Sequence, residues 1–267
     1  MELTARYGLE FDPFLKNSKE ILYQGKEYRE AFYRLDYLAK TRGFGILTAS
    51  PGRGKTTVVR NWSSKLNPSL YKVIYTSLST VTVNDFYRNL AASLGAQAAY
   101  RKTENFHAIQ SEITRLALDK KKTPVIIIDE ANYISNAVLN DLKILFNFEM
   151  DSRDRAVILL VGLPQLNHTL QLSIHEPLRQ RIIMNYNLEG YTKEKGREYI
   201  EKKLSGAGCS QTVFEEEAIE AALNASDGTA RMISKLCHAS LMIGNSQGQN
   251  LITADTVMQA VNDSILA

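Results

Sequence analysis

Apolar and polar positions follow two regimes along this chain. Between Phe44 and Val161, short apolar or β-branched runs alternate with stretches whose apolar residues recur at helical spacing; after Tyr191 only the helical spacing continues. The first regime predicts strands at Phe44–Thr48, Tyr71–Tyr75, Val125–Ile128 and Ala156–Val161. It predicts helices at Lys26–Lys40, Thr56–Leu66, Val83–Leu94, Asn105–Leu118 and Ala137–Phe148. In Lys26–Lys40 the apolar stripe is Tyr28, Phe32, Leu35 and Leu38. Val125–Ile128 shows no alternation, the mark of a strand buried on both faces of a parallel sheet. Repeated strand–helix pairs imply an α/β fold with a doubly wound parallel sheet. The second regime predicts helices at Thr192–Leu204, Glu215–Ala225, Thr229–Ile243 and Thr253–Ile265, with Thr192, Asp227 and Thr253 as caps, and so a small helical bundle.

Composition narrows the class without changing that picture. At 267 residues, 44% hydrophobic and 23% charged, the chain can bury the core of one α/β domain plus a small module. The longest apolar runs fall far short of the ~20 residues that cross a bilayer, so no transmembrane helix and no membrane partner are expected. Met1–Arg6 lacks a basic stretch followed by an apolar core, which points to the cytoplasm. Cys209 and Cys237 have no His or Cys neighbours at metal-ligand spacing and read as reduced thiols. A net charge of +3 permits a polyanionic partner and does not demand one.

The chemistry concentrates where the first strand ends. Ser50-Pro51-Gly52-Arg53-Gly54-Lys55-Thr56-Thr57 joins an apolar strand to a helix. Polyphosphate oxygens need converging backbone N–H groups, glycines where a side chain would block approach, and the partial positive charge of a helix N-terminus. Lys55 would reach the β- and γ-phosphates, Thr56 would place its hydroxyl on Mg²⁺, and Thr57 would continue the helix near the α-phosphate. Ala49 stands where the G-x-x-x-x-G-K-[ST] pattern has its first glycine, so the loop is a variant of that pattern. Asp129, directly after four apolar residues, is placed to serve Mg²⁺, and Glu130 to polarise an attacking water. The plain alternative for Asp129 is a helix N-cap, which leaves the second acid without a purpose.

These residues resemble an ATPase of the AAA+ superclass, in the branch of the ExeA-like secretion ATPases and the TniB- and TnsC-like transposition regulators. The resemblance implies a P-loop AAA+ core over residues 41–190, a C-terminal helical lid over 191–267, and an N-terminal segment over 1–40 that packs near the adenine. Tyr7-Gly8-Leu9-x-x-Asp12-Pro13-Phe14 is similar to the family's opening segment, which places Tyr7 and Phe14 beside the base; core packing is the alternative. Ile126-Ile127-Ile128-Asp129-Glu130-Ala131 looks like Walker B with its catalytic glutamate. Leu178-Arg179-Gln180-Arg181-Ile182 resembles the stretch whose arginines lie at the subunit boundary, so Arg181 or Arg179 would reach a neighbour's γ-phosphate; solvated loop arginines are the alternative. Gly228-Thr229-Ala230-Arg231 resembles the second sensor, with Arg231 over the phosphates of its own subunit. The first sensor has no clear match beyond Gln165.

The resemblance also implies the partners. ExeA-like secretion proteins continue into a transmembrane helix, whereas this chain stops at Ala267, which favours the helper ATPases that polymerise on DNA. The expectation is a homo-oligomer, ring or helical filament, that binds double-stranded DNA without sequence preference and directs a transposase to its target. Arg88, Arg101, Lys102 and Thr103 are the candidate phosphate contacts, with a solvated face as the alternative for Arg101 and Lys102. Lys120-Lys121-Lys122 reads as a solvated turn. The competing expectation is an ExeA-like motor or switch that acts on a protein and does not bind DNA.

Overall fold

The computed structural model describes residues 2–77 and 81–265. The chain forms two compact units: a sheet unit of Arg29–Ser50 and Lys55–Leu188, and a helical unit of the segment up to Tyr28, Pro51–Gly54 and the segment from Glu189 onward.

The sheet unit is built on five parallel strands, β1 (Gly43–Thr48), β2 (Tyr71–Thr76), β3 (Thr123–Ile128), β4 (Val157–Gly162) and β5 (Ile182–Asn187), in the order β2-β3-β4-β1-β5. The three central strands β1, β3 and β4 are buried at every position, as their unbroken apolar runs require. Ile46, Ile126, Ile128, Ile158 and Leu160 lie in one cluster with α4 (Val83–Leu94), α5 (Lys102–Thr114) and α6 (Asn136–Leu145). On the other face, Leu38 of α2 (Lys26–Thr41) lies so close to β1 that a methyl on Gly45 would sit 2.3 Å from Leu38 Cδ2. Trp62 of α3 (Lys55–Lys65) donates through Nε1 to Asp36 Oδ1 at 2.9 Å and ties α3 to α2. The edge strand β2 buries Ile74 and Thr76 and exposes Val73 and Tyr75, the alternation of a strand covered on one side.

Most predicted elements appear within a few residues of their expected bounds; α4 coincides with its prediction, started by a Thr82 cap and ended by Gly95 at φ 86°. Predicted helix Asn105–Leu118 begins at Lys102 and passes at Arg115–Asp119 into a π turn. Strand β5 and the short helices α7 (Gln165–Gln171) and α8 (Glu176–Arg179) were not expected. Asp227 is a C-cap at φ 46°, not the cap of the following helix, which Thr229 precedes.

The helical unit packs α9 (Lys193–Gly206), α10 (Glu216–Ser226), α11 (Ala230–Ser246) and α12 (Ala254–Ile265) around one apolar cluster. Of the N-terminal segment 1–40, the residues up to Tyr28 belong to this unit and those from Arg29 to the sheet unit. Tyr7, at the end of α1 (Leu3–Tyr7), joins Leu9 and Phe14 among Ile233, Cys237, Leu241 and Val257. Arg6 donates to Asn245 Oδ1, and His238 Nδ1 meets Asp12 Oδ2 at 2.7 Å. Burial of three large apolar side chains holds the segment there, at roughly 1.5–3 kcal/mol each. Cys209 and Cys237 are free thiols, the latter buried. No helix among the described residues is long and apolar enough to cross a membrane.

Gly228 stands at φ 65°, and a methyl there would lie 2.2 Å from the Tyr191 carbonyl oxygen. Gly228→Ala is expected to cost about 1–3 kcal/mol or more, since both strain and a backbone clash arise. A urea midpoint equal to that of the unsubstituted protein would contradict this packing.

Candidate nucleotide site

The parallel sheet brings the ends of β1 and β3 to one edge, with β4 between them. Ala49 continues the pairing beyond β1, its N–H donating to Gly162 O at 3.2 Å. Gly52 and Gly54 adopt φ values of 76° and 92°, while Ala49 is absent from the positive-φ positions. The first glycine of the pattern is therefore dispensable in this loop: its position uses backbone that any residue adopts. At Gly54 nothing stands within 4 Å of where a Cβ would be, so a ligand can approach the main chain closely. Helix α3 starts at Lys55, which leaves the first-turn N–H groups of Lys55, Thr56 and Thr57 without intrahelical acceptors.

Lys55 is only 8% exposed, and its ammonium donates to Ala49 O at 2.9 Å across the loop. Ser50 is half-buried, and Pro51 and Thr56 are exposed. Arg53 Nε is buried with no hydrogen-bond partner, and Arg53 Nη2 lies 3.9 Å from Asp227. Within the helical unit, Gly52 O accepts from Arg231 N at 3.1 Å, and a Cβ on Gly52 would meet Thr229 Cγ2 at 2.8 Å. A buried lysine at the N-terminus of α3 fits a polyphosphate.

Asp129 is 5% exposed, and each of its carboxylate oxygens accepts one hydrogen bond. Its N–H donates to Thr76 O at 2.8 Å, Oδ1 accepts from Glu130 N at 2.9 Å, and Oδ2 accepts from the Tyr75 hydroxyl at 2.8 Å. Burial, then the hydrogen bond to Asp129, then the charges of Asp129 and Glu130 push the Tyr75 hydroxyl up to about 12, so it remains a donor at neutral pH. Glu130 turns out of the strand at φ 53°, exposed and in a left-handed conformation that costs a non-glycine residue about 1–3 kcal/mol. Asn132 Oδ1 accepts from Leu163 N at 2.9 Å and pins the turn after Glu130 to the end of β4. A buried Thr48 donates to Asn187 Oδ1 and accepts from Asn167 Nδ2, joining the ends of β1 and β5 through α7. Among the described residues no three His, Cys, Asp or Glu side chains gather as a self-sufficient metal cage. One carboxylate and one hydroxyl suit a magnesium ion that takes its remaining ligands from phosphate and water.

Tyr7 is fully buried, with its hydroxyl donating to Gln249 O, and Phe14 is also buried. Both belong to the apolar core of the helical unit. Arg181 donates to Lys143 O at 2.7 Å and to Phe146 O, and lies over the Phe44 ring. It thus satisfies carbonyls at the C-terminal end of α6, where a cation is favoured by the helix dipole. Arg179 is exposed and donates to Leu170 O and Gln171 O at the end of α7. Gln165 is exposed at the start of α7, and Asn167, two residues on, donates through Nδ2 to Thr48 Oγ1 at the end of β1. Among the DNA candidates, Lys102 pairs with Asp141 and lies over the Tyr87 ring, and Arg88 pairs with Asp85. Arg101 and Thr103 are exposed at the start of α5, beside Tyr100 at 83% exposure. Lys120 and Lys121 form an exposed turn.

Sequence reasoning missed Tyr75, Asn132, Asn167 and His175. The buried His175 ring meets Asn136 Oδ1 and Asn140 Oδ1 and fixes the segment that carries Arg179 against α6; burial lowers its pKa. Only Asn132, two residues past the acidic pair, offered a local signal.

Arg181→Ala is expected to destabilise the fold by about 1–3 kcal/mol, because it strips carbonyls of a charged donor. Arg179→Ala should leave the melting temperature nearly unchanged. Equal melting temperatures for the two variants would contradict the distinction.

Comparison with known proteins adds the following. Residues 38–170 match the family described as "AAA domain". General secretion pathway protein A of Aeromonas hydrophila is 29% identical over 256 residues, covering 93% of this chain and 46% of its own length, so the chain spans about half of that relative. Cdc6p of Pyrobaculum aerophilum is similar in structure at a TM-score of 0.70 and 15% identity, over 93% of this chain and 69% of that one. The structure of Drosophila ORC bound to DNA gives a TM-score of 0.70 at 16% identity, over 99% and 66%. With its five-stranded parallel sheet the chain shares the α/β fold of these structures, and residues 38–170 are similar to an AAA domain.

Proposed function

We propose that this chain hydrolyses ATP with Mg²⁺ and uses the nucleotide to control its own assembly on double-stranded DNA, as a regulator that brings a transposase to its target. The observation that carries the enzymatic part is the buried Lys55, held inside a loop of left-handed glycines at the same sheet edge as Asp129. In this reading Gly52 to Thr57 hold the phosphates, Thr56 and Asp129 hold the magnesium ion, and Glu130 accepts the proton of the attacking water. Bound Mg²⁺ would neutralise charge on the phosphate oxygens. The sequence resemblance adds Arg231 as a further cation for the phosphates. Arg179 is favoured over Arg181 for a neighbouring subunit's γ-phosphate, since it is exposed whereas Arg181 is half-buried over the Phe44 ring.

Support for DNA comes from the exposed Arg101 and Thr103, from the positive net charge, and from likeness to a structure bound to DNA. The transposase rests on the sequence resemblance alone. A second reading, an ATPase switch acting on a protein partner, is favoured by the similarity to general secretion pathway protein A.

Lys55→Ala should abolish binding of a fluorescent ATP analogue, and Glu130→Gln should bind it while slowing phosphate release by about 10²-fold or more. Undiminished turnover in Glu130→Gln would place the base elsewhere. Random-sequence duplex in a filter-binding assay should be retained more tightly with ATP, and less as salt rises. Affinity indifferent to both ATP and salt would favour the protein-partner reading.

A further inference from the structure

We propose that Tyr75 is a positioning residue that fixes the orientation in which the Asp129 carboxylate meets the magnesium ion of a bound nucleotide. This rests on the magnesium–ATP reading above and adds a residue from the neighbouring strand.

The placement follows from strand register. In the parallel pair β2–β3, Tyr75 stands opposite Ile127. Side chains alternate at period two, so Tyr75, Ile127 and Asp129 project from one face of the sheet. The length of a phenol then carries the hydroxyl forward to Asp129 Oδ2, at 2.8 Å. The other oxygen, Oδ1, takes the Glu130 N–H at 2.9 Å. A carboxylate torsion is broad and nearly two-fold when left alone. Two donors on two different oxygens narrow it, and rotation would break both bonds. Asp129 N–H, donating to Thr76 O at 2.8 Å, holds the same residue by its main chain. An ionised carboxylate has about four acceptor sites, so two remain for an ion or its waters.

Apolar packing does not account for where this ring lies. Tyr75 is 52% exposed, and Val73, on the same face of β2, is exposed as well. What holds the side chain forward is the bond from its hydroxyl to a buried acid. A surface tyrosine that merely finds a nearby acceptor predicts a metal affinity independent of the hydroxyl. A positioning tyrosine predicts that losing one oxygen atom weakens the ion and nothing else. Groups that orient a metal-binding carboxylate typically contribute 10–100-fold in metal affinity. Because Glu130 N–H keeps one oxygen in place, the lower end of that range is expected.

The test is Tyr75→Phe in the full chain. Mn²⁺ is titrated in the presence of a nonhydrolysable ATP analogue and free ion is read by electron paramagnetic resonance; analogue affinity is measured separately in chelator. The expected result is a loss of about 10-fold in Mn²⁺ affinity, with metal-free analogue affinity and melting temperature unchanged. In an Asp129→Asn background the same substitution should add no further loss. Unchanged Mn²⁺ affinity overturns the proposal. So does a parallel fall in metal-free analogue affinity, or a loss that persists in the Asp129→Asn background. If the unsubstituted protein takes up no Mn²⁺ with the analogue, the nucleotide reading fails, and this inference fails with it.

Discussion

Parallel strands all point one way, and hydrogen bonding between them then forces their C-terminal ends to a common edge. In this protein the constraint brings together residues that are far apart in sequence: Thr48 and Gly162 end β1 and β4, and Asp129 directly follows β3, in three adjacent strands. The buried apolar runs before them set the register, because a shift by one residue would turn their core side chains to the opposite face. The loop conformation, the engagement of Asp129 and the bond from Asn132 to the end of β4 all depend on that register. The Asp129 carboxylate and the Lys55 ammonium are each held by a hydrogen bond before any ligand binds. Such preorganisation is what electrostatic stabilisation of a phosphoryl transfer needs.

Local strain follows the same map. Glu130 adopts a left-handed conformation that glycine or asparagine would take more readily, directly after the buried strand and beside Asp129. In the proposed site, a strained, exposed acid next to a buried one would separate two roles within one dipeptide, an ion-facing carboxylate and a solvent-facing one. The helical unit solves a different problem. Its helices leave an apolar cluster that Tyr7, Leu9 and Phe14 complete, so the first residues of the chain serve as core for its last third.

Much of this was legible in the sequence, and the parts that were not have a common cause. Strands β1, β3 and β4 declare themselves because burial on both faces demands uninterrupted apolar runs. Strand β5 does not: Asn185 and Asn187 interrupt it because an edge strand leaves positions free for polar contacts to Asn167 and Thr48. The loop was readable down to Lys55, and the puzzle of Ala49 dissolved once its backbone was seen to avoid positive φ. Contacts set by tertiary pairing had no local signature. Tyr75 meets Asp129 only through the β2–β3 register, Arg181 meets α6 only through packing, and Tyr7 joins the helical core through residues more than 200 positions away.

The central claim is that Lys55 and Asp129 together form a magnesium–ATP site. Isothermal titration of the full chain with a nonhydrolysable ATP analogue, with and without Mg²⁺, tests it most directly. The account predicts saturable one-to-one binding that tightens when Mg²⁺ is present. Absence of binding, or equal affinity with the ion and with chelator, would contradict it.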